Sequence, residues 1–203
     1  MHLPEGSTFT PAPAGAHRAI CIGFIDLGTQ KTEYQGQTSH KRLIRIRWEL
    51  PDEHMEDGKP FTITKRYTWS MGDRATLRKD LESWRGKPFE KSDFGREGFN
   101  TQKLLGVPCL LTIVHKEGTN GTFANIAAIS PLPKGMEKPG KSENPLSYVA
   151  LEHGLFDQAA FDALHEKTKE IIRLSPEYQE VVEGVVRSAP SSIDEHLDDE
   201  VPF

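Results

Sequence analysis

The segment KRLIRIRWEL, at positions 41–50, constrains the fold more than any other part of the chain. From Ile44 to Leu50, apolar residues occupy every second position, and charged residues occupy the positions between them. A period of two is that of a β-strand with one face in a core and the other facing solvent. The apolar face carries Ile44, Ile46, Trp48 and Leu50, and the polar face carries Arg45, Arg47 and Glu49. The segment therefore predicts a half-buried strand.

Other segments extend this strand into a sheet. Four of them predict further strands, at residues 17–27, 61–70, 107–115 and 122–130. The strand at 17–27 places Ala19, Cys21 and either Phe24 or Ile25 in the core, and a polar loop is expected at 28–40. Asp57-Gly58 is a hairpin turn signal between the second and third strands. Between the third and fourth strands the spacing of Leu77, Leu81 and Trp84 predicts a helix capped by Asp73 and ending at Arg85.

Three strands, a helix and two strands form the order of an OB-fold. We therefore expect a mostly β protein with a five-stranded OB-fold barrel over residues 15–132 and its helix between strands 3 and 4. A barrel of the SH3 type and a small α+β sandwich remain alternatives. Trp48 and Trp84 are expected in the core. Cys21 and Cys109 lie in apolar runs and are expected to be buried, reduced thiols.

The regions outside the predicted barrel differ from it in composition. Residues 1–14 contain three prolines and predict a flexible arm, and residues 133–146 read as a linker. Residues 147–187 predict a helical annex, with Asp157 capping one apolar segment and Ser175-Pro176-Glu177 starting a second helix. The annex either packs on the barrel or mediates self-association into a homo-oligomer. Residues 188–203 are acidic and predict a disordered tail.

The net charge of −5 hides a division of the chain. Residues 1–132 hold 18 Lys plus Arg and 15 Asp plus Glu, whereas residues 133–203 hold 7 and 15. The basic N-terminal part and the acidic C-terminal part suit different partners, and the basic part is the one suited to a polyanion.

The second and third strands combine basic and aromatic side chains, as non-specific binding of single-stranded nucleic acid requires. If the hairpin joins these strands, their side chains become cross-strand neighbours. The candidate residues for phosphate contact or base stacking are Tyr34, Lys41, Arg42, Arg45, Arg47, Lys65, Arg66, Tyr67 and Trp69. The alternative is that the arginines form a solvated outer face and that Tyr67 and Trp69 pack inside.

Motifs typical of catalysis are missing from the sequence. The histidines and cysteines lack zinc-site spacing, and no phosphate-binding loop or nucleophile elbow occurs. We expect no enzyme activity, no cofactor and no bound metal. A nuclease site would have to be assembled from acids distant in sequence, for which the candidates are Asp26, Glu33, Asp52, Glu53, Glu56 and Asp57.

The last six residues have the chemistry of a compact partner-binding ligand, with three acids before an apolar residue, a proline and a phenylalanine. They are Asp198, Asp199, Glu200, Val201, Pro202 and Phe203. This ending resembles the acidic tail of bacterial single-stranded DNA-binding proteins, with Val201 where that family has isoleucine. The body is more similar to bacteriophage-encoded single-strand-binding proteins, in LGTQKTEYQG, IRWELPDE, LRKDLESWRGKPF and SPEY.

The resemblance implies a phage protein of DNA replication or recombination that coats single-stranded DNA in the bacterial host cytoplasm. It also implies that the tail recruits replication or recombination proteins, and no membrane partner is expected. The alternative is a protein-interaction adaptor that does not bind DNA. Its tail would imitate the host ligand and sequester host replication or repair proteins.

Overall fold

The protein is mostly β-structure with a few helices. The computed structural model describes residues 10–34, 36–94, 98–119 and 121–188. The strands are β1 (Gly15–Tyr34), β2 (Gln37–His54), β3 (Pro60–Thr68), β4 (Pro108–Gly118), β5 (Gly121–Ser130) and β6 (Ser147–Val149). The helices are α1 (Thr76–Arg85), α2 (Gln158–Asp162), α3 (Glu166–Arg173) and α4 (Pro176–Ser188), with short 3-10 helices at Lys91–Asp93 and Thr101–Leu104.

The sheet is antiparallel along the order β3-β2-β1-β4-β5, and β6 pairs with β1 in parallel. This arrangement confirms the mostly β prediction and the helix between the third and fourth strands. A closed barrel is not shown, because β3 and β5 are the two ends of the hydrogen-bonded sheet. Helix α1 links these ends through side chains instead. Asp80 accepts a hydrogen bond from Lys65 of β3, and the Ser83 hydroxyl donates one to the carbonyl of Ile129 in β5.

The main hydrophobic cluster lies on the inner face of the sheet, under α1. As the alternation predicts, the four apolar residues on the inner face of β2 are at most 1% exposed; these are Ile44, Ile46, Trp48 and Leu50. Trp48 and Trp84 are both buried and pack with ring centroids 5.8 Å apart. Cys21 and Cys109 are free thiols in the same cluster, and burial raises the pKa of Cys21 to about 12. The predictions for these tryptophans and cysteines are confirmed.

The central part of β1, residues 19–28, is buried on both faces because it contributes to two hydrophobic clusters. Register shifts occur between Cys21 and Gly23 and again between Asp26 and Gly28. A bulge changes which face the following side chains occupy. Phe24 therefore joins the main cluster together with Cys21, whereas Ile25 enters a second cluster on the other side of the sheet.

The prediction of a loop at residues 28–40 is wrong. β1 continues to Tyr34 and β2 begins at Gln37, so the two strands pair almost to the turn, where Gly36 has a φ of 75°. Most of the added residues are polar on both faces, and an alternation of hydrophobicity cannot indicate strands of that kind. Strand β6 was missed for a different reason, since three residues are too few to establish a period.

The helices differ from prediction at their ends. Asp73 does not cap α1; the N-cap is Ala75, which makes no side-chain capping bond, and Asp73 instead binds Arg78 at 2.7 Å. In the annex, the apolar segment after Asp157 is divided into α2 and α3, and His165 caps the second of them. Asp157 caps α2 as predicted, accepting from the N–H groups of two residues in that helix. Helix α4 begins at Pro176, also as predicted.

The annex packs on the outer face of the sheet, as one of the two sequence alternatives expects. The second hydrophobic cluster of the protein joins residues of β1, β2, β6 and the annex. Its buried members are Ile25, Leu27, Leu43, Val149, Leu151, Phe161 and Ile172. The predicted linker contains no helix or strand, yet it is attached to the sheet. Buried Glu49 accepts hydrogen bonds from the backbone of Glu143 and from the backbone and side chain of Asn144, at 2.7–2.9 Å.

The predicted arm and tail are only partly within the described residues. Residues 1–9 and 189–203 lie outside them, and with them the six tail residues from Asp198 to Phe203. In the described part of the arm, Ala12 is buried and its carbonyl accepts a 2.8 Å hydrogen bond from Nε2 of His115. Among the described residues, no helix is long and apolar enough to cross a membrane.

Candidate nucleic-acid interface

The outer face of β2 and β3 carries two arginines directly opposite each other. The antiparallel register pairs Arg45 with Arg66 and places Arg47 opposite Thr64. The predicted hairpin creates this pairing, with Gly58 in its turn at a φ of 80°. We call the three residues Arg45, Arg47 and Arg66 the arginine patch.

Two members of the arginine patch are half-buried by the annex and the linker. Arg45 donates a 3.0 Å hydrogen bond to the hydroxyl of Thr168 in α3, and Arg47 lies 3.4 Å from the amide oxygen of Asn144. Burial, with the charge of Arg66 as a second cause, lowers the pKa of Arg45 below its ordinary value. Burial likewise lowers the pKa of Arg47. Arg66 itself is exposed.

No carboxylate lies within ion-pair distance of the arginine patch in the described part of the chain, although the charge of Glu49 favours the protonated form of Arg47. Five arginines elsewhere do have one, in the pairs Arg18–Asp52, Arg42–Asp26, Arg78–Glu82, Arg85–Asp93 and Arg173–Glu166, whereas exposed Arg74 has none in the described residues. Like charges directly opposite across two strands are destabilising. An anion placed between Arg45 and Arg66 would relieve that repulsion and form charge-assisted hydrogen bonds with both guanidinium groups.

Two of the predicted site residues lie on the opposite face of β3 from this patch. Lys65 donates to Asp80 of α1 at 2.6 Å, and its ammonium group lies over the Tyr67 ring. Tyr67 is 3% exposed, and its hydroxyl donates to the same Asp80 at 2.8 Å. Burial, reinforced by the charge of Asp80, raises the pKa of Tyr67. Tyr67 thus presents no ring face to a base, and Lys65 is committed to an internal ion pair.

The remaining candidates have different surroundings. Arg42 pairs with buried Asp26 at the annex junction, so it stabilises the fold. Lys41 is exposed on the extended β1–β2 hairpin. Tyr34 ends β1, and its side chain lies outside the described residues. Trp69 is half-buried at the end of β3, and its ring meets Phe24 edge-on at 5.8 Å.

Sequence reasoning missed other rings near Trp69. Phe99 and Tyr148 are half-buried beside it, although they come from the segment before β4 and from β6. It also missed Phe123 of β5, which is 45% exposed. The alternation of β5 could have indicated Phe123, because Ala124 and Ile126 occupy the inner face. No local signal could have brought Phe99 and Tyr148 together with Trp69.

The acids suggested for a nuclease site are distributed among separate interactions. Asp26 binds Arg42, Asp52 binds Arg18 at 2.6 Å, and Asp57 lies 3.2 Å from Lys59. In the described residues, no group of three or more histidines, cysteines or acids is arranged to hold a metal ion. The geometry thus brings the arginine patch together but assembles no carboxylate centre there.

The chain was also compared with known families and with curated proteins. No protein-family model and no curated protein sequence matches it.

Proposed function

We propose that the chain is a non-catalytic single-stranded DNA-binding protein of phage replication or recombination. The observation that carries the proposal is the Arg45–Arg66 pair, two neighbouring cations with no carboxylate partner in the described residues. Phosphodiester groups are anions of the right kind for such a pair. Arg47 and exposed Lys41 add positive charge along the same strand.

The order of the strands supports this proposal. We take the open sheet to be an OB-type barrel, which is itself a partly open five-stranded architecture that binds oligonucleotides on its second and third strands. The order of the strands and the position of α1 between β3 and β4 agree with that form. The arginine patch lies on β2 and β3, the pair of strands that such barrels use.

The test is binding of oligo-dT, measured by fluorescence anisotropy over a range of salt concentrations. The logarithm of the affinity should fall with the logarithm of the salt concentration by about 0.7 per phosphate contacted. Arg66→Ala should reduce that slope by about 0.7. Lys59→Ala is the matched control, because it removes the same charge from a 75% exposed side chain on the β2–β3 turn. Duplex DNA of equal length should bind more weakly.

A chain that leaves oligo-dT unbound would overturn the proposal and favour the adaptor alternative. Metal-dependent cleavage of the oligonucleotide would instead favour the nuclease alternative. Equal slopes for the Arg66 and Lys59 variants would remove the arginine patch from the binding site.

The role of the acidic tail is proposed from its sequence alone, because residues 198–203 lie outside the described residues. We assign recruitment of replication or recombination proteins to residues 198–203, whose acids also make them a competitor for the cationic surface. Deleting residues 194–203 should therefore tighten oligo-dT binding at low salt, and the difference should shrink as salt screens the charges. An unchanged affinity at low salt would contradict the competition.

A further inference from the structure

A cleft lined by aromatic rings opens beyond the end of β3. It has a volume of about 320 Å³ and lies between Trp69, residues 98–102 and strand β6. Trp69, Phe99 and Tyr148 are half-buried rings of its wall, and buried Phe24 contributes to its floor. A second hollow of about 310 Å³ adjoins it and shares Phe24, Trp69 and Phe99. Volumes of this size suit a small planar ligand.

The rings of the cleft are held in fixed positions. Phe24 stacks on Tyr148 with centroids 5.6 Å apart and meets Trp69 edge-on at 5.8 Å. The Tyr148 hydroxyl is hydrogen-bonded to the hydroxyl of Thr101 at 2.9 Å, and the backbone N–H of Trp69 donates to the carbonyl of Arg42. A site with its rings already in place loses little side-chain entropy when a ligand binds.

The polar groups of the cleft indicate which kind of ligand fits. Asp26 and Glu152 contribute carboxylates to its lining, and Arg42 pairs with both of them, so the charges on this side of the cleft are largely balanced. Asn100 and Gln102 add amide groups that can donate to and accept from the edge of a ring. Aromatic faces, amide groups and balanced charges together favour a neutral, planar molecule with a polar edge. A nucleobase has these properties.

We propose that this cleft holds one unstacked base of a DNA single strand. The proposal rests on the proposed function, because the arginine patch would hold the phosphates of the same strand. Trp69 follows Arg66 by three residues, about 10 Å along the extended chain. Side chains three apart in a strand lie on opposite faces, and Trp69 packs against the inner cluster. A bound strand would therefore pass over the end of β3 to contact Arg66 with its backbone and place a base against Trp69.

The test uses the full chain and oligo-dT in which one thymine is replaced by photoreactive 5-iodouracil. After irradiation, mass spectrometry should locate adducts on Trp69, Phe99 or Tyr148. Trp48 and Trp84 are buried, at 0% and 5% exposure, so oligo-dT should quench the fluorescence of Trp69 selectively. Replacing the bases of the oligonucleotide with abasic sites should abolish the quenching while leaving the phosphate charges unchanged.

Two variants add a quantitative comparison. Trp69→Ala should weaken oligo-dT binding by about tenfold, the loss typical of one stacked base. Phe123→Ala is the matched control, because it removes a 45% exposed ring that does not line the cleft. Its affinity should change by less than about twofold. Trp69 also packs on the core, so Trp69→Ala could weaken binding by disturbing the fold. The crosslinking and abasic measurements use the unaltered chain and do not depend on that variant.

The outcomes separate the two proposals. Bound oligo-dT with adducts only outside the three rings, or equal affinity for the abasic strand, would overturn the base-binding cleft and leave the arginine patch standing. Failure of the unaltered chain to bind oligo-dT would overturn the proposed function itself.

Discussion

The two sides of the sheet are stabilised by different kinds of contact. The inner side is covered by α1 over a large, almost wholly apolar cluster. The outer side carries a smaller apolar cluster, and polar contacts to the annex and the linker surround it. These contacts include Arg42–Asp26, Glu49 with the backbone at Asn144, and Thr29 with Glu177.

The difference shows that the polar face of a strand need not face solvent. Glu49 is 0% exposed although it alternates with apolar residues as a solvated residue would. Burial of its carboxylate is tolerable because three N–H groups donate to it. The inner side should therefore depend on the volume of side chains, and the outer side on individual hydrogen bonds and close approaches.

The largest expected effect is on the inner side. Trp48→Ala removes a fully buried ring that packs on Trp84 and should lower the free energy of unfolding by about 3–5 kcal/mol. Urea denaturation measures this loss. The control is Val114→Ala at a 37% exposed position, which should cost less than about 0.5 kcal/mol. A loss below about 1 kcal/mol for Trp48→Ala would show that the inner side does not depend on packing.

The next effect concerns the attachment of the linker. Glu49→Ala leaves the N–H groups of Glu143 and Asn144 without their acceptor and should cost about 2–3 kcal/mol. Glu49→Gln keeps one acceptor oxygen and should cost less. Limited proteolysis should cut the alanine variant near residue 143 faster than the native chain. Identical cleavage rates would mean that Glu49 does not hold the linker.

A steric substitution tests the approach of α4 to β1. Gly28 has a φ of 68°, and an added Cβ would lie 2.3 Å from the Cβ of Ser175, which is fully buried. Gly28→Ala should cost about 2 kcal/mol and should speed hydrogen exchange in α4. Gly58→Ala is the control, because Gly58 has a φ of 80° with open space around it and reports the backbone strain alone. Equal losses for both variants would exclude the clash.

The smallest effect depends on pH. Glu177 is partly buried, which opposes its charge, but hydrogen bonds from the hydroxyl and N–H of Thr29 outweigh burial and lower its pKa. A carboxyl group with a lowered pKa stabilises the fold above its unfolded pKa and loses that contribution as the pH falls through the folded value. Glu177→Gln should therefore cost about 1 kcal/mol at pH 7.

The difference between Glu177→Gln and the native chain should shrink as the pH falls below about 4, near the ordinary pKa of glutamate. Denaturation curves at a series of pH values measure it. A difference that stays constant down to acidic pH would assign the effect to side-chain shape instead of charge.

The sequence was most informative where burial repeats with a regular period. The alternation in β2 correctly predicted four of its buried residues but not Glu49, and the Ser175-Pro176 signal correctly predicted the start of α4. Periodicity failed for Tyr67, because Lys65 interrupts its face of β3 with a charge. The structure explains this exception, since Asp80 of α1 neutralises Lys65 inside the fold.

The annex junction and the aromatic cleft could not be predicted from local patterns. Asp26 accepts hydrogen bonds from Arg42 and from the N–H of Leu151, and Thr29 donates to Glu177. These residues are far apart in the sequence, so no local pattern indicates the contacts. The cleft likewise combines rings from four segments. The arginine patch lies between these cases. Its alternation was visible in the sequence, but its partial cover by Thr168 and Asn144 was not.

The two sets of partners of β1 have a consequence for synthesis of the chain. Its residues from Ile20 to Tyr34 pair with β2, which follows at once, whereas Gly15 pairs with Ile113 in β4. Contacts between residues so far apart form slowly because a long loop must close first. Residue 113 must therefore leave the ribosome before the first residues of β1 can pair with β4. Until then, these residues form an unpaired strand edge, at which nascent chains can associate.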